Sequence, residues 1–127
     1  LGAFCIGIIS TVVCFFMVAV VKEKFKYDDA LDAFGVHGMG GILGSILTGV
    51  FATQYVTGAD GVQGALYGDW HQLWIQVVAT VVSIIYSIIV TYIIFKLVDK
   101  SVGVRVDKRV EEEGLDIYEH GESAYSN

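Results

Sequence analysis

His37 is the residue of this 127-residue sequence whose chemistry is hardest to explain by packing alone. It lies in an uncharged window, residues 33–59, among apolar residues and glycines. If this window spans a membrane, an ionisable side chain within it is costly and usually faces a protein-lined or water-filled pathway. A neutral histidine hydrogen-bonded to a neighbouring helix is the structural alternative, and the physical argument leaves both interpretations open.

Three carboxylates, Asp28, Asp29 and Asp32, precede this histidine. At a helix N-terminus such carboxylates cap free amides and complement the helix dipole. We favour capping and interface anchoring for all three. Asp32 is nevertheless kept as a candidate for a substrate pathway, because it lies deepest, roughly 8 Å of helix before His37.

Two rows of small residues continue from His37 at a spacing of four. They are Gly40, Gly44 and Thr48, and Gly41, Ser45 and Gly49. Such rows let another helix approach closely, so we expect close packing, and a cavity above His37 is compatible with it.

Other chemistries lack support. His37 and His71 cannot share a haem iron, because the predicted helices separate them by on the order of 25 Å. The sequence has no metal-ligand spacing, no phosphate-binding glycine loop followed by lysine and no nucleophile constellation. We therefore expect no cofactor, no bound metal and no enzymatic activity.

The elements that must position His37 follow from the charge pattern. The sequence is 54% hydrophobic and 17% charged, and its uncharged windows, 1–21, 33–59 and 70–95, each meet the length of about 20 residues that a bilayer requires. This predicts an all-α membrane protein with helices at about 1–21, 30–55 and 70–99. Residues 1–100 form its transmembrane part and residues 101–127 a cytoplasmic tail.

The basic residues predict the orientation. All eight fall at residues 22–26 or 96–109, whereas the loop between the second and third helices has none. Under the positive-inside rule the first loop and the tail are cytoplasmic, in a multi-pass protein of the cell membrane. The net charge of −6 leaves no electrostatic footprint for nucleic acid.

Two stretches resemble the ammonium transporter family (Amt/Mep/Rh). The sequence DDALDAFGVHGMGG, residues 28–41, is similar to the family's tenth transmembrane helix. Residues 102–106, VGVRV, and 111–125, EEEGLDIYEHGESAY, are similar to its regulatory tail. The GVHG core and the tail favour the Amt branch, in a bacterial or archaeal version.

This resemblance implies a fold and a site. The family fold is an eleven-helix inverted repeat assembled as a trimer, and the chain corresponds to the last three helices, roughly the C-terminal third. His37 falls on the second of two pore histidines, and Ala33 on a position that lines the inner half of the pore. The first histidine of the family lies on an earlier helix.

The implied function is ammonium or ammonia transport through a hydrophobic pore. Ammonium in hydrocarbon carries a large desolvation penalty, whereas neutral ammonia crosses far more easily. Two coupled imidazoles can accept and relay the proton left behind.

The tail is expected to lie on the cytoplasmic face, partly on a neighbouring subunit of a homotrimer, where PII-type signal proteins block family members. Leu115, Ile117, Tyr118 and Tyr125 are apolar residues that a disordered tail does not need. A solvated tail is the alternative. Plant members carry a regulatory threonine in the stretch where this chain has Tyr118, so threonine phosphorylation is not transferred.

A second interpretation of the whole chain belongs to another class. A three-span accessory or interaction subunit of a membrane complex could use the same glycine rows to bind a partner helix.

Overall fold

A computed structural model describes residues 1–121, and its regular elements are helices, with no strand among those residues. Within this part of the chain three helices are long and apolar enough to cross a bilayer: span one, Gly2–Phe25; span two, Phe34–Phe51; and span three, Trp70–Ser101. The prediction of an all-α protein with three membrane-length helices is confirmed.

Span one is an α-helix over Gly2–Phe16, a π-helix over Met17–Lys22 and a last α-helical turn over Glu23–Phe25. It ends where Lys26 adopts a left-handed conformation, with φ +50°. The basic residues of the first loop thus overlap the end of the helix, which extends four residues beyond the uncharged window that predicted it.

Span two begins with a π-helix over Phe34–Gly38 and continues as an α-helix over Met39–Phe51. It starts about four residues later than the expected residue 30, because Asp32 has φ +56° and interrupts the helix there. A short helix, Gln54–Thr57, follows after Ala52 leaves the helical conformation with ψ 140°.

The connection to span three folds back on the end of span two. The Gly64 amide donates to the Ala52 carbonyl at 2.8 Å, and a Cβ at Gly64 would lie 2.4 Å from the Val50 carbonyl oxygen. Only glycine permits this approach. A 3-10 turn, Ala65–Tyr67, then leads to Asp69, whose carboxylate accepts the backbone amides of the first residues of span three, at 3.0 and 3.3 Å.

The described part of the chain divides into two compact units, residues 1–85 and residues 86–121. In the first, the residues that are buried include polar ones, Gln72 and Thr80, whereas large apolar side chains such as Phe4 and Phe15 are 69% and 72% exposed. A lipid environment favours polar groups inside the protein and apolar groups outside, because lipid offers no hydrogen-bond partner to a polar group that faces it. The second unit contains two short tail helices, Lys108–Glu113 and Leu115–His120.

Candidate functional site

His37 lies in the π-helical start of span two, and acidic residues fix that start. The Asp29 carboxylate accepts the amides of Ala33, at 2.8 Å, and Phe34, at 2.9 Å. These amides have no partner within the helix, so the carboxylate satisfies them and complements the positive end of the helix dipole. Asp29 therefore caps the start of span two, which is the role that we favoured for it.

One face of span two packs against span one. A Cβ added at Gly35 would lie 2.9 Å from a Val18 methyl carbon, and one added at Gly40 would lie 3.4 Å from the Cys14 sulfur. The Cys14 thiol also lies 3.6 Å from the Val36 carbonyl oxygen, which accepts its weak hydrogen bond. The two helices therefore approach closely because glycine occupies their contact.

A second face of span two packs against span three through polar groups. The Thr80 hydroxyl donates to the Ser45 hydroxyl oxygen at 2.8 Å, and the Ser45 hydroxyl donates to the Gln76 side-chain oxygen at 3.3 Å. A Cβ at Gly49 would lie 3.0 Å from the Leu73 Cα. The expected close packing along the row of Gly41, Ser45 and Gly49 is therefore observed at its last two members.

The third face of span two is open. Ala33, His37, Gly41, Gly44 and Thr48 follow one another at spacings of three and four residues, which places them on one side of a helix. All except the half-buried Gly44 are exposed, and a Cβ added at Gly41 or Gly44 would meet nothing within 4 Å. We name this set the open face.

The open face has a particular chemistry. It presents one imidazole and little other side-chain bulk, on a helix of membrane length. The His37 backbone belongs to the helix, and no hydrogen bond to its imidazole is observed from residues 1–121, so the structure gives no support to an imidazole satisfied by a neighbouring helix of this chain. An imidazole on such a face can accept or donate a proton in a narrow apolar passage.

Asp32 lies apart from the open face. Its carboxylate accepts a hydrogen bond from the Lys22 ammonium group of span one, and the two side chains are 28% (Lys22) and 32% (Asp32) exposed. It lines a cleft of about 540 Å³ with Cys14 and Gly40, on the side of span two that faces span one. The structure thus brings Ala33 and His37 together and directs the third candidate elsewhere.

The other two histidines are distant in the sequence from this face. His71 is an exposed residue in the first turn of span three, and its amide donates to Asp69. His120 ends the second tail helix. Among residues 1–121, no three His, Cys, Asp or Glu side chains cluster closely enough to bind a metal ion.

An ion pair joins the first tail helix to Arg105, which precedes it. The Arg105 guanidinium donates two hydrogen bonds to Glu111, at 2.6 and 3.1 Å, and lowers the pKa of that carboxyl below its ordinary value by this contact and by its charge. The pair is therefore intact at neutral pH and is lost as the pH falls through the lowered value. Gly114, between the helices, has φ +96°, a conformation that favours glycine.

The apolar residues of the tail are exposed. Leu115, Ile117 and Tyr118 are 47%, 58% and 63% exposed. Tyr125, the fourth residue of the expected docking set, lies outside the described residues.

Two contacts were not anticipated from the sequence. The Lys22–Asp32 pair joins residues ten positions apart across an irregular connection, which has no simple sequence signal. The polar contact between spans two and three does have a sequence signal. Gln72, Gln76 and Thr80 recur every four residues in the first half of a mostly apolar helix.

Comparisons with known proteins identify the family and relatives of this chain. A family model described as the Ammonium Transporter Family matches residues 1–125. An ammonium transporter of Bacillus subtilis is 48% identical over 122 residues, which cover 96% of this chain and 30% of that protein. An ammonium transporter of Aquifex aeolicus is 55% identical over 69 residues, 54% of this chain and 16% of that protein.

A more distant relative, ammonium transporter 1 of Dictyostelium discoideum, is 37% identical over 123 residues, 97% of this chain and 26% of that protein. The chain thus spans less than a third of the length of these relatives. They are named as ammonium transporters, and together with the three apolar helices they support a multi-pass membrane location. The chain belongs to the Ammonium Transporter Family.

Proposed function

We propose that this chain supplies part of the substrate pathway of an ammonium transporter, with His37 as its proton-handling group. The observation that carries the proposal is the exposed imidazole of His37 on the open face of a membrane-length helix, in a chain that matches the family over residues 1–125. The relatives are named as ammonium transporters, which supplies the substrate class.

The physical reason for an imidazole at this place is the cost of moving a cation through an apolar passage. Ammonium loses strong hydration there, whereas ammonia loses little, so deprotonation before passage lowers the barrier. His37 and a second histidine on another part of the transporter accept and relay the proton, and burial permits at most one charge on the pair. Potassium has no proton to release, so the same step excludes it.

The two remaining candidates have separate roles in the proposal. Ala33, one turn before His37 on the open face, lines the inner half of the pathway with a small apolar side chain. A substrate-pathway role for Asp32 remains a prediction. The ion pair with Lys22 offers a structural role instead, which mutation of Lys22 can separate from substrate contact.

Assembly and orientation complete the proposal. The first loop and the tail are cytoplasmic, the transporter is a homotrimer, and the exposed apolar residues of the tail dock on the cytoplasmic face of a neighbouring subunit, where a PII-type signal protein can act. The exposure of Leu115 and Ile117 is consistent with such docking. The family match does not favour the accessory-subunit alternative.

The test uses a chimera in which this chain replaces the segment that it matches in the Bacillus subtilis ammonium transporter. The change His37→Ala should lower ammonium uptake per assembled molecule by about a hundredfold or more, the range that a positioned proton-transfer group contributes, or convert the pathway to leaky cation passage. Uptake and current in liposomes, with ammonium and potassium compared, measure both outcomes.

The matched control is His71→Ala, which removes an exposed imidazole in the first turn of span three. It should leave uptake near the parent value. If His37→Ala equals the parent in rate and in preference for ammonium over potassium, or lowers only the amount of assembled protein, the proposed role of His37 is wrong.

A further inference from the structure

An ion pair joins the end of span one to the start of span two. The Lys22 ammonium group, at the end of the π-helical segment Met17–Lys22, donates to the Asp32 carboxylate. Both side chains are about two-thirds covered, as the exposures above show. Opposite charges attract more strongly in such surroundings than in water, and removal of one partner leaves the other partly buried and unpaired.

Asp32 also controls the backbone at the start of span two. With φ +56° it is left-handed, a conformation that aspartate and asparagine tolerate better than most residues. Its amide donates to the Asp29 carbonyl at 3.2 Å, and its own carbonyl accepts the Val36 amide at 2.9 Å. One residue thus connects the ion pair with Lys22 to the first turn of the helix.

A packing contact at Gly35, two residues before His37, also fixes the orientation of the helix that carries His37. Gly35 is buried against Val18, in the π-helical segment of span one. Two residues correspond to roughly half a turn of helix, so packing at Gly35 directs His37 to the opposite side, away from span one. The ion pair and the Gly35–Val18 contact therefore both determine how the π-helical start of span two is rotated.

We propose that Lys22 is a positioning residue, which through Asp32 fixes the start of span two and so directs His37 along the open face. This inference rests on the proposed function of His37. Lys22 itself contacts no substrate, and its effect on transport passes through the ion pair and the helix start.

The experiment is a set of variants in the chimera, with ammonium uptake measured per assembled molecule. Lys22→Met should lower uptake at least about tenfold, since displacement of a reacting group by the order of 1 Å costs up to about a hundredfold. Lys22→Arg keeps the ion pair and should restore most of the uptake. Lys24→Met, the control, removes a nearby cation and should have little effect.

A second measurement separates positioning from general stability. In a His37→Ala background, Lys22→Met should cause no further loss of uptake, because there is no imidazole left to direct. A merely structural lysine would instead lower the amount of assembled protein equally in both backgrounds, with uptake per molecule unchanged, and that result would overturn the inference.

Asp32→Asn gives an independent test and replaces Lys22→Met should that variant fail to assemble. Asparagine keeps the left-handed backbone and removes the charge. Its loss of uptake should match that of Lys22→Met, and the double variant should lose no more than either. A larger loss in the double variant would indicate that Asp32 contacts substrate and would contradict a role through Lys22 alone.

The two proposals can fail separately. If His37→Ala leaves uptake unchanged, the proposed function fails. If His37→Ala lowers uptake while Lys22→Met and Asp32→Asn both match the parent, only the positioning role fails.

Discussion

At the scale of single residues, the presence or absence of one Cβ decides which faces of span two can pack. Gly49 lies where a methyl group would be 2.9 Å from Gln76 Cγ and 3.0 Å from the Leu73 Cα, whereas Gly41 faces open space. Backbone at that distance cannot move aside as a side-chain end can. Glycine is therefore required for contact with span three at Gly49, and it leaves room along the open face at Gly41.

Gly49→Ala should consequently weaken the contact between spans two and three. Overpacking of this kind costs about 1–3 kcal/mol, so the thermal unfolding midpoint of the chimera in detergent should fall. Gly7→Ala is the control, because it makes the same change inside span one where no atom lies within 4 Å. Equal midpoints for the two variants would mean that the contact of Gly49 with span three leaves room for a methyl group.

His37 could be selected from the sequence as a candidate because a general rule applies to it: ionisable groups are rare within apolar segments of membrane length. The Lys22–Asp32 ion pair could not be predicted from the sequence. It depends on the left-handed conformations of Lys26 and Asp32, which bring the chain back after span one, and neither residue type specifies that conformation by itself.

At the scale of elements, uncharged windows predict the helices well because lipid demands internal backbone hydrogen bonding. Helix ends are less predictable, since they depend on caps. Span two begins at Phe34 because the Asp29 carboxylate accepts its amide, and the acidic residues nearby offered three choices for that role.

The π-helical segments had no sequence signal. They lie in contact with each other, one in span one and one in span two, so their wider turns arise where two helices pack. Local propensity does not report on that packing. Such segments often occur at functional sites, and His37 lies in one of them, Phe34–Gly38.

At the scale of the whole molecule, the basic residues predict which ends of the helices face the cytoplasm. Single cysteines at Asp60 and Glu112, in a background with Cys5 and Cys14 replaced by serine, should react with an impermeant maleimide from opposite sides of the membrane. Both native positions are exposed, so access should not limit the reaction. Labelling of both from the same side would contradict the three-span orientation.

One pair of substitutions distinguishes a proton-handling role of His37 from a purely structural one. Glutamate and glutamine have nearly the same size, but only glutamate can accept and release a proton. In the chimera, His37→Glu should retain more ammonium uptake per assembled molecule than His37→Gln, because its carboxyl can share a proton with the partner imidazole.

The measurement is ammonium uptake into liposomes by the two variants, at equal amounts of assembled protein. We expect uptake with His37→Glu to exceed clearly that with His37→Gln. Equal uptake by the two variants, at any level above empty liposomes, would contradict proton transfer at this position.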